Sequence, residues 1–394
     1  MSPPTARAIV THAPPSSSPS DNPWKLEPIT PKPLGKTDLR VRIVASGICH
    51  TDLHIAELGA YFGGYPRVMG HEGAGYVEAI GDAVTVAQPG DPVLLSFAYC
   101  GTCRLCTTGH PAHCTRFSEL NFAGAPAFIS ASTATATATS TTDELSVIGS
   151  FFGQSSFASV TVVAEECVVN VKEFVKSGEE EELRLFAPLG CGVQTGCASV
   201  TNVARATAGD TVVVMGLGGV GLSSVMAARI TGCGVVVGID RVEGRLGLAR
   251  ELGATHVINT AVFEDLAGVT EKVLALTEGL GATVVIDTTG YGPLMEAGVN
   301  FTSPLGRYVQ IGAPPALDAA LTLPVSPLLV TGKTIVGTIE GDAVAREYVP
   351  RMLGWYREGK LPLEKIVKTF RPEEFQEALK EMASGEAVKP VIVW

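Results

Sequence analysis

The sequence predicts an α/β protein with two domains, one irregular and β-rich, the other built on a doubly wound parallel sheet. Its 394 residues are too many for one ordinary hydrophobic core. Short strand-like runs separated by glycine turns fill the first half, which is typical of an irregular β-rich domain. Strand and helix patterns alternate in the second half, and repeated βα units predict a parallel sheet covered by helices.

Composition limits the function classes. Hydrophobic residues make up 46% of the chain and charged residues 18%, as in a globular protein. A formal net charge of -11 argues against a protein that follows nucleic-acid phosphates, and no long apolar run predicts a membrane span. We see no secretory signal, so we expect a cytoplasmic protein whose nine cysteines bind metal rather than form disulfides. Its partners are expected to be small molecules.

The first half contains five predicted strands and two loops. Alternation and β-branched content place strands at 6–11, 38–45, within 66–81 and at 91–97, with a Pro/Ser-rich loop at 14–23. The Ala/Thr-rich run at 124–143 cannot bury much surface, so we interpret it as a surface insertion, with a lid over the active site as the alternative. Strand-like alternation then resumes at 151–163.

Three separated residues form a candidate catalytic metal site. Cys49 offers a thiolate, His71 lies among glycines that allow tight turns, and Cys191 stands between two glycines. A set of two cysteines and one histidine leaves one position of a tetrahedral zinc open, which is the catalytic form of such a site. Thr51 adds an exchangeable hydroxyl close to Cys49, and His54 an imidazole that can pass a proton to solvent.

Each of these assignments has a simpler alternative. Cys49 could be an ordinary loop cysteine and His54 a surface helix residue, while Thr51 could serve only as a helix N-cap. Glu72, which follows His71, could be an ordinary acid at the start of a strand rather than part of the metal site. Phe97 could be a plain core residue rather than a wall of the substrate pocket.

A second metal site is predicted by a cluster of four cysteines. Cys100, Cys103, Cys106 and Cys114 are spaced C-x2-C-x2-C-x7-C, which fits a closed, structural zinc site. An iron–sulfur cluster or four unrelated cysteines are the alternatives. His110 and His113 lie in the same loop and are expected to be solvated. The remaining cysteines are expected in the core: Cys167, Cys197 and Cys233.

A dinucleotide site is predicted by a βαβ unit. A strand at 210–215 leads into Gly216-Leu-Gly218-Gly219-Val220-Gly221, then an apolar helix to 230 and a second strand at 235–240. These glycines allow the turn, the approach of a pyrophosphate and close packing of helix on strand. Asp240 should bind the adenosine ribose and repel a 2′-phosphate, which favours NAD, although Arg241 could tolerate NADP.

The pattern continues to the C-terminus. We predict helices at 243–252, 263–277, 343–358 and 373–382, and strands at 256–258, 283–287, 307–311, 334–338 and 389–394.

With these motifs in order, the sequence resembles the zinc-dependent medium-chain alcohol dehydrogenases over nearly its whole length. The collinear motifs are Gly47-Ile-Cys-His-Thr-Asp, Gly70-His-Glu-Gly-Ala-Gly, the four-cysteine loop, Gly190-Cys-Gly-Val-Gln-Thr-Gly and the dinucleotide motif. Several details resemble the aryl (benzyl) alcohol dehydrogenase branch: Leu95-Ser-Phe, Phe117-Ser-Glu-Leu-Asn-Phe, Phe152-Gly-Gln-Ser-Ser-Phe and Gly253-Ala-Thr-His-Val-Ile-Asn.

The resemblance implies a role for each matched residue. Cys49, His71 and Cys191 would hold the catalytic zinc, with Asp52 and Glu72 around them, and Thr51 would relay the alcohol proton through the nicotinamide ribose to His54. Further positions would contact the cofactor or substrate: Thr195, Val220 and Ile311 the cofactor, Arg245 the adenosine ribose, Lys389 and His50 the pyrophosphate, and Phe97 the substrate. His50 departs from the liver-type pattern, which has an arginine there.

The resemblance also implies an architecture and a reaction. A GroES-like catalytic domain would span 1–192 and 339–394, and a Rossmann domain 193–338. With two zinc ions and NAD, the chain would interconvert a primary aromatic or allylic alcohol and its aldehyde, as a homodimer or tetramer. Three alternatives remain: a dedicated biosynthetic reductase or dehydrogenase, zinc-assisted non-redox isomerisation or dehydration with held NAD, and a purely structural zinc protein.

Overall fold

Three β-sheets organise the chain. The computed structural model describes residues 6–14, 23–130, 145–176, 178–314, 316 and 318–394. Two of the sheets are built from the first half together with the last strands, and the third from the second half. The predicted α/β class with a β-rich part and a parallel sheet is confirmed.

The first sheet closes into a barrel in the order β1-β2-β7-β8-β4. Its strands are β1 Ala6–Thr11, β2 Trp24–Pro31, β4 Arg67–Val68, β7 Ala125–Ser130 and β8 Val147–Gly149.

The second sheet has the order β10-β6-β5-β3-β18-β17, with β9 also paired to β3. Its strands are β3 Asp38–Gly47, β5 Glu72–Ile80, β6 Pro92–Leu95, β9 Val160–Ala164, β10 Val168–Asn170, β17 Val367–Phe370 and β18 Lys389–Val393. Because β18 pairs with β3, the end of the chain lies beside the segment that carries Cys49.

The third sheet is parallel throughout, in the order β13-β12-β11-β14-β15-β16. Its strands are β11 Thr211–Met215, β12 Val235–Asp240, β13 His256–Asn259, β14 Ala282–Asp287, β15 Thr302–Gln310 and β16 Thr334–Gly337. The order reverses between β11 and β14, and such a reversal opens a ligand crevice at the carboxyl ends of the strands.

Eleven α-helices connect or cover these strands in the described part of the chain. They are α1 His50–Glu57, α2 Arg104–Thr107, α3 Glu180–Phe186, α4 Gly192–Ala198, α5 Gly219–Ile230, α6 Glu243–Leu252, α7 Leu266–Leu276, α8 Gly292–Phe301, α9 Val325–Thr331, α10 Ala345–Arg357 and α11 Phe375–Ser384. No helix among the described residues is long and apolar enough to cross a membrane.

Strand β11 shows why the parallel sheet forms. Val212 and Val214 point into one buried cluster, and Val213 and Met215 into another on the opposite face. A strand that is apolar on both faces is stable only between two layers of helices. The continuous apolar run read from the sequence therefore produces the doubly wound arrangement.

Several predictions for the first half were wrong. Strand β2 was missed, and residues 125–130, assigned to a surface insertion, form β7, whose Ala127, Phe128 and Ile129 are buried. The strand predicted at 151–163 begins only at Val160, because Phe152 and Ser155 have left-handed φ values of 49° and 50°. Residues 131–144, and 15–22 of the predicted loop, lie outside the described residues.

Two helices of the second half were also missed. Helix α8 was left unassigned; it begins with glycine and proline, and proline is well tolerated in the first turn of a helix. Helix α9 lacks a buried stripe, since none of its residues is buried, and its sequence therefore gives no helical period.

Candidate active site

The three predicted ligands of the catalytic metal converge. Cys49 precedes α1, His71 precedes β5, and Cys191 precedes α4. One ligand atom from each residue lies within 4.8 Å of the other two. Two thiols and an imidazole at this separation are the donor set and spacing that a tetrahedral metal requires.

Asp52 fixes the orientation of His71. Its Oδ1 lies 3.0 Å from Nδ1 of His71 and also accepts from the Gly70 N–H, while its Oδ2 accepts from the Cys49 N–H at 2.8 Å. Nε2 of His71 is buried and has no hydrogen-bond partner among the described residues. Burial lowers the pKa of His71, but Asp52 outweighs it and holds that pKa well above its ordinary value. The unpartnered nitrogen therefore fits a metal ligand held by a carboxylate.

The thiols of Cys49 and Cys191 shift each other's pKa in opposite directions. A hydrogen bond from Cys191 lowers the pKa of Cys49 well below its usual range and raises that of Cys191. The two sulfurs lie within 4.8 Å of each other, and a cation bound between them would favour the thiolate form of both. The site thus fits a metal in charge as well as in spacing.

Glu72 and Lys389 form a buried ion pair behind the ligands. Oε1 of Glu72 accepts from Nζ of Lys389 at 2.8 Å and from the Gly192 N–H at 2.9 Å. Burial raises the pKa of Glu72 to about 7, and Lys389 opposes this rise. Burial lowers the pKa of Lys389, but Glu72 and Cys49 more than compensate, so the net shift is upward.

Lys389 also reaches toward the dinucleotide motif. Its Cε lies 2.9 Å from the position that a Cβ on Gly219 would occupy. The ammonium group itself contacts Glu72 and, at 3.3 Å, the Ile48 carbonyl. The lysine therefore links the metal ligands with the first turn of α5.

The residues proposed to move a proton lie on α1. Oγ1 of Thr51 is 3.6 Å from Sγ of Cys49, and His54 follows in the last turn, partly exposed. His50 is exposed at the start of the helix. Desolvation by nearby protein, with Lys389 and Arg245, lowers the pKa of His50, although Cys49 opposes the shift.

The four-cysteine cluster is also assembled. The ligand atoms of Cys100, Cys103, Cys106 and Cys114 lie within 4.8 Å of one another, and none is in a disulfide. Backbone N–H groups point at the sulfurs, for example Cys103 N to Cys100 Sγ at 3.3 Å. A hydrogen bond from the Cys106 backbone lowers the pKa of Cys103 to about 5. Four sulfurs with no open position fit a structural metal.

The burial of the other histidines and cysteines agrees only partly with the sequence-based expectations. His110 is exposed as predicted, but its Nδ1 also lies 2.7 Å from Oδ2 of Asp342. Cys167, Cys197 and Cys233 are buried as predicted.

The glycine motif forms the predicted turn. Gly216 has a φ of 83°, and a Cβ on Gly221 would lie 1.8 Å from the Gly216 carbonyl oxygen, so α5 packs tightly on the turn. Nothing lies within 4 Å of a Cβ on Gly218, which caps α5. This open space before a helix N-terminus fits a pyrophosphate.

Asp240 closes the far side of this turn. Its Oδ2 accepts from the Leu217 N–H at 2.7 Å and its Oδ1 from the Arg241 and Val242 N–H groups. Nη1 of Arg245 lies 4.0 Å from the same carboxylate. Asp240 therefore helps to fix the loop that would receive the adenosine.

The remaining predicted cofactor residues surround the same crevice. Thr195 lies on α4, which packs so closely on α5 that a Cβ on Gly196 would be 2.1 Å from the Val220 carbonyl oxygen. Ile311 follows β15, and its N–H donates to the Asp287 carbonyl at 2.9 Å.

An aromatic cluster covers the imidazole of His71. The ring of Phe152 stacks on it with centroids 4.4 Å apart, and Phe117 contacts Phe152 edge-on. Phe97 packs on Phe117 with an exposed fraction of 1%. Phe152 was noted only as part of a stretch typical of the aryl alcohol branch, and its position on His71 was not predicted, because its left-handed φ of 49° cannot be read from the sequence.

Two buried polar residues of the site were also missed. Gln154 donates from Nε2 to the His71 and Ser96 carbonyls and accepts from the Gly73 N–H, which fixes the backbone around His71. Glu340 is buried and accepts from Nε2 of Gln194 at 3.1 Å. Gln154 lies in the stretch Phe152-Gly-Gln-Ser-Ser-Phe, which served only to indicate the branch of the family, and Glu340 lies in no quoted motif.

Comparison with known proteins gives a consistent assignment. Residues 35–173 match the model of the alcohol dehydrogenase GroES-like domain, and residues 219–358 that of the zinc-binding dehydrogenases. Geraniol dehydrogenase of Castellaniella defragrans is 37% identical over 372 residues, which cover 94% of this chain and 95% of that protein.

Solved structures of alcohol dehydrogenases resemble this chain over its whole described fold. A zinc-binding-domain alcohol dehydrogenase protein from Burkholderia ambifaria has a TM-score of 0.88, and benzyl alcohol dehydrogenase of Acinetobacter calcoaceticus one of 0.86. Each is 34% identical to this chain, and each alignment covers 99% of both chains.

Proposed function

Because this chain belongs to the zinc-binding alcohol dehydrogenase family and is therefore an oxidoreductase, we propose that it interconverts a primary allylic or aromatic alcohol and its aldehyde with NAD. The observation that carries the proposal is the convergence of Cys49, His71 and Cys191 beside the crevice of the parallel sheet. The unpartnered Nε2 of His71 supports a catalytic zinc there. The four-cysteine cluster supports a second, structural zinc.

The residues around this site have complementary tasks. When bound, the zinc would act as a Lewis acid on the alcohol oxygen and the nicotinamide as hydride acceptor. Asp52 orients His71, and the Glu72–Lys389 pair holds the Gly192 backbone that follows Cys191. Thr51 would accept the alcohol proton at Oγ1, and His54, partly exposed, would release it to solvent.

Charge at the end of β12 supports NAD rather than NADP. The carboxylate of Asp240 faces the turn that would hold the adenosine and would repel a 2′-phosphate. His50, Arg245 and Lys389 bring positive or titratable groups to the same crevice, where they would face the pyrophosphate. Thr195, Val220 and Ile311 would contact the nicotinamide half.

Two observations support an allylic or aromatic substrate. The relatives named above act on geraniol and benzyl alcohol, as their names state. In this chain, an aromatic cluster built on Phe152, Phe117 and Phe97 adjoins the metal ligand His71. Aromatic rings favour flat, apolar substrates through packing and edge-on contacts. We assign Phe97 as a pocket wall on this basis.

The edge of the parallel sheet supports a homodimer. Strand β16 lies at the end of the strand order, so one side of its backbone pairs with no other strand among the described residues. Beside it, Val325, Leu329 and Val330 of α9 are largely exposed. An open edge flanked by apolar side chains suits pairing with a second copy about a twofold axis. A tetramer would require a further contact.

Domain organisation and location complete the proposal. We assign 1–192 with 339–394 to the catalytic domain and 193–338 to the dinucleotide-binding domain. A cytoplasmic location suits the cysteine ligands of both sites, since a reducing compartment keeps them as thiols.

The test is NADH formation over a panel of benzyl, cinnamyl, allylic and short aliphatic alcohols, in parallel with NADP and with zinc determination. We expect turnover of allylic and aromatic alcohols with NAD, and two zinc ions per chain. Zinc without oxidation of any simple alcohol would contradict the proposal and favour a dedicated biosynthetic substrate or non-redox chemistry.

A further inference from the structure

One buried cation near the site has no task in the proposed function. Arg67 is the first residue of β4, and its exposed fraction is 0%. Burial lowers its pKa to about 10, so the guanidinium stays charged at neutral pH. Its hydrogen-bond partners in the described part of the chain are main-chain carbonyls rather than carboxylates, and its Nε has none there. Burying a cation without a counter-charge is costly, so these carbonyl contacts need a function.

The guanidinium joins two loops that are distant in sequence. Nη1 of Arg67 donates to the Phe62 carbonyl at 2.7 Å, in the loop after α1. Nη2 donates to the Phe122 carbonyl at 2.9 Å, in the segment before β7. The two loops also touch directly, since a Cβ on Gly63 would lie 2.5 Å from the Ala123 carbonyl oxygen. Because arginine presents its donors in a rigid fork, one side chain fixes both carbonyls relative to each other.

The two anchored residues extend the aromatic cluster at His71. The ring of Phe122 lies edge-on to that of Phe152, and the ring of Phe62 lies edge-on to that of Phe122, each pair with centroids 5.7 Å apart. Phe152 in turn stacks on the imidazole of His71. Phe62 and Phe122 are half-buried, and Tyr61, beside Phe62, has an exposed fraction of 78%. The row of rings therefore runs from a predicted metal ligand to the surface.

Such a row suits a substrate that is longer than one ring. A compact alcohol held at the metal would contact only the rings beside His71, whereas an extended apolar chain would continue along Phe122 and Phe62. Aromatic rings bury a large apolar area against a ligand when their positions are fixed. Half-buried rings on two surface loops keep their positions only if the loops themselves are held, since loops are the more mobile parts of a fold.

We propose that Arg67 is a positioning residue for the substrate, which fixes the Phe62 and Phe122 carbonyls and so holds both rings against the far end of an extended allylic alcohol. This inference rests on the proposed function and narrows its substrate class to allylic alcohols with a long apolar tail. Arg67 is fully buried, so it acts through the two rings and not on the reacting atoms. It determines specificity for the tail, while the chemistry at the hydroxyl carbon is independent of it.

The test compares kcat/KM with NAD for two alcohols that share the reacting end, 3-methylbut-2-en-1-ol and geraniol, which is longer by one isoprene unit. Any loss of folded or metal-loaded enzyme cancels in the ratio of geraniol to the short alcohol. Arg67→Met removes the donors and leaves no charge unpaired. Contact with a single methylene group is worth about 10-fold or more in specificity, so the ratio should fall at least about 10-fold. The fall should come mainly from a higher KM for geraniol, because the tail is bound equally before and during reaction.

A second variant removes one ring and leaves the buried cation in place. Phe62→Ala keeps the main-chain carbonyl that accepts from Arg67, so the fold should tolerate it better than the loss of Arg67. The ratio of geraniol to the short alcohol should fall in this variant as well. A protein that does not fold with Arg67→Met therefore still gives a decisive result through Phe62→Ala.

A matched control lies in the parallel-sheet half of the chain. Nζ of Lys333 likewise donates to two main-chain carbonyls, those of Val299 at 2.7 Å and Thr302 at 2.8 Å. Lys333→Met should therefore loosen the protein by a similar loss of contacts and keep the wild-type ratio.

Three results would overturn the inference. A wild-type ratio in folded Arg67→Met or in Phe62→Ala would show that the rings do not grip the tail. An equal fall in Lys333→Met would show that general loosening is responsible. A wild type that prefers the short alcohol would show that the row of rings does not serve as a substrate wall. If the wild type oxidises neither alcohol, the proposed function itself fails, and this inference fails with it.

Discussion

Nζ of Lys389, the first residue of β18, lies 2.8 Å from Oε1 of Glu72, the first residue of β5, and both side chains are almost fully buried. The pair joins the end of the chain to the strand that follows the metal ligand His71. Since Glu72 also accepts from Gly192, the same carboxylate holds the start of α4. One ion pair therefore connects the segments that carry two of the three metal ligands.

Breaking this pair should destabilise the protein strongly. In Lys389→Met the Glu72 carboxylate stays buried without its cation, and such losses cost about 3 to 5 kcal/mol of unfolding free energy. Urea unfolding of the metal-loaded wild type and variant measures this loss of unfolding free energy. Lys389→Met combined with Glu72→Gln should recover much of the loss, because no unpaired charge remains. Equal losses in the single and double variants would show that packing, not charge, is responsible.

His50 should control cofactor affinity through its charge. Desolvation and the cations Lys389 and Arg245 lower its pKa, so at about pH 8 the imidazole is neutral. His50→Arg places a permanent charge beside the proposed pyrophosphate site and should tighten NADH binding there and slow its release. Fluorescence titration and stopped-flow displacement measure both quantities.

The pH dependence gives a second readout for His50. A bound pyrophosphate favours the protonated imidazole, so wild-type affinity should rise as pH falls through the lowered pKa of His50. In His50→Arg the NADH affinity should be high and should not rise further as the pH falls. In His50→Gln the affinity should also be independent of this pH change, but it should not exceed that of the wild type. Unchanged NADH affinity in His50→Arg would contradict the role.

Thr51 should act on the proton and not on the metal. Its Oγ1 lies 3.6 Å from Sγ of Cys49, but zinc does not need it as a ligand. Thr51→Ala should lower kcat by about 10²- to 10⁴-fold, the range for loss of a positioned proton acceptor. Thr51→Ser should recover most of the rate, and zinc content should be unchanged in both. A kcat near wild type in Thr51→Ala would exclude the relay.

Asp240 should decide between the two nicotinamide cofactors. Asp240→Ala removes the negative charge that would face a 2′-phosphate, so the ratio of kcat/KM for NADP to that for NAD should rise by roughly tenfold or more, about 1.4 kcal/mol. Asp240→Glu, which keeps the charge, is the control. Since Asp240 also accepts from the Leu217 N–H, some loss with NAD is expected. A constant ratio would show that the carboxylate only supports the loop.

Local sequence patterns by themselves determined the dinucleotide-binding βαβ unit and the four-cysteine site. The apolar run Thr211–Met215, the glycines from Gly216 to Gly221 and the acid at Asp240 predict a βαβ unit because each step is set by neighbouring residues. Likewise, the spacing of Cys100, Cys103, Cys106 and Cys114 predicts a closed site, since the short loop brings the sulfurs together.

Tertiary structure decided what depends on distant contacts. Residues 125–130 became a buried strand because β2 pairs with them, and Phe152 reached His71 through a left-handed backbone that its neighbours impose. Glu340 meets Gln194 only through packing of its turn against α4, and Lys389 meets Glu72 only through pairing of β18 with β3. Their burial and partners arise from segments hundreds of residues apart, where sequence spacing carries no geometric information.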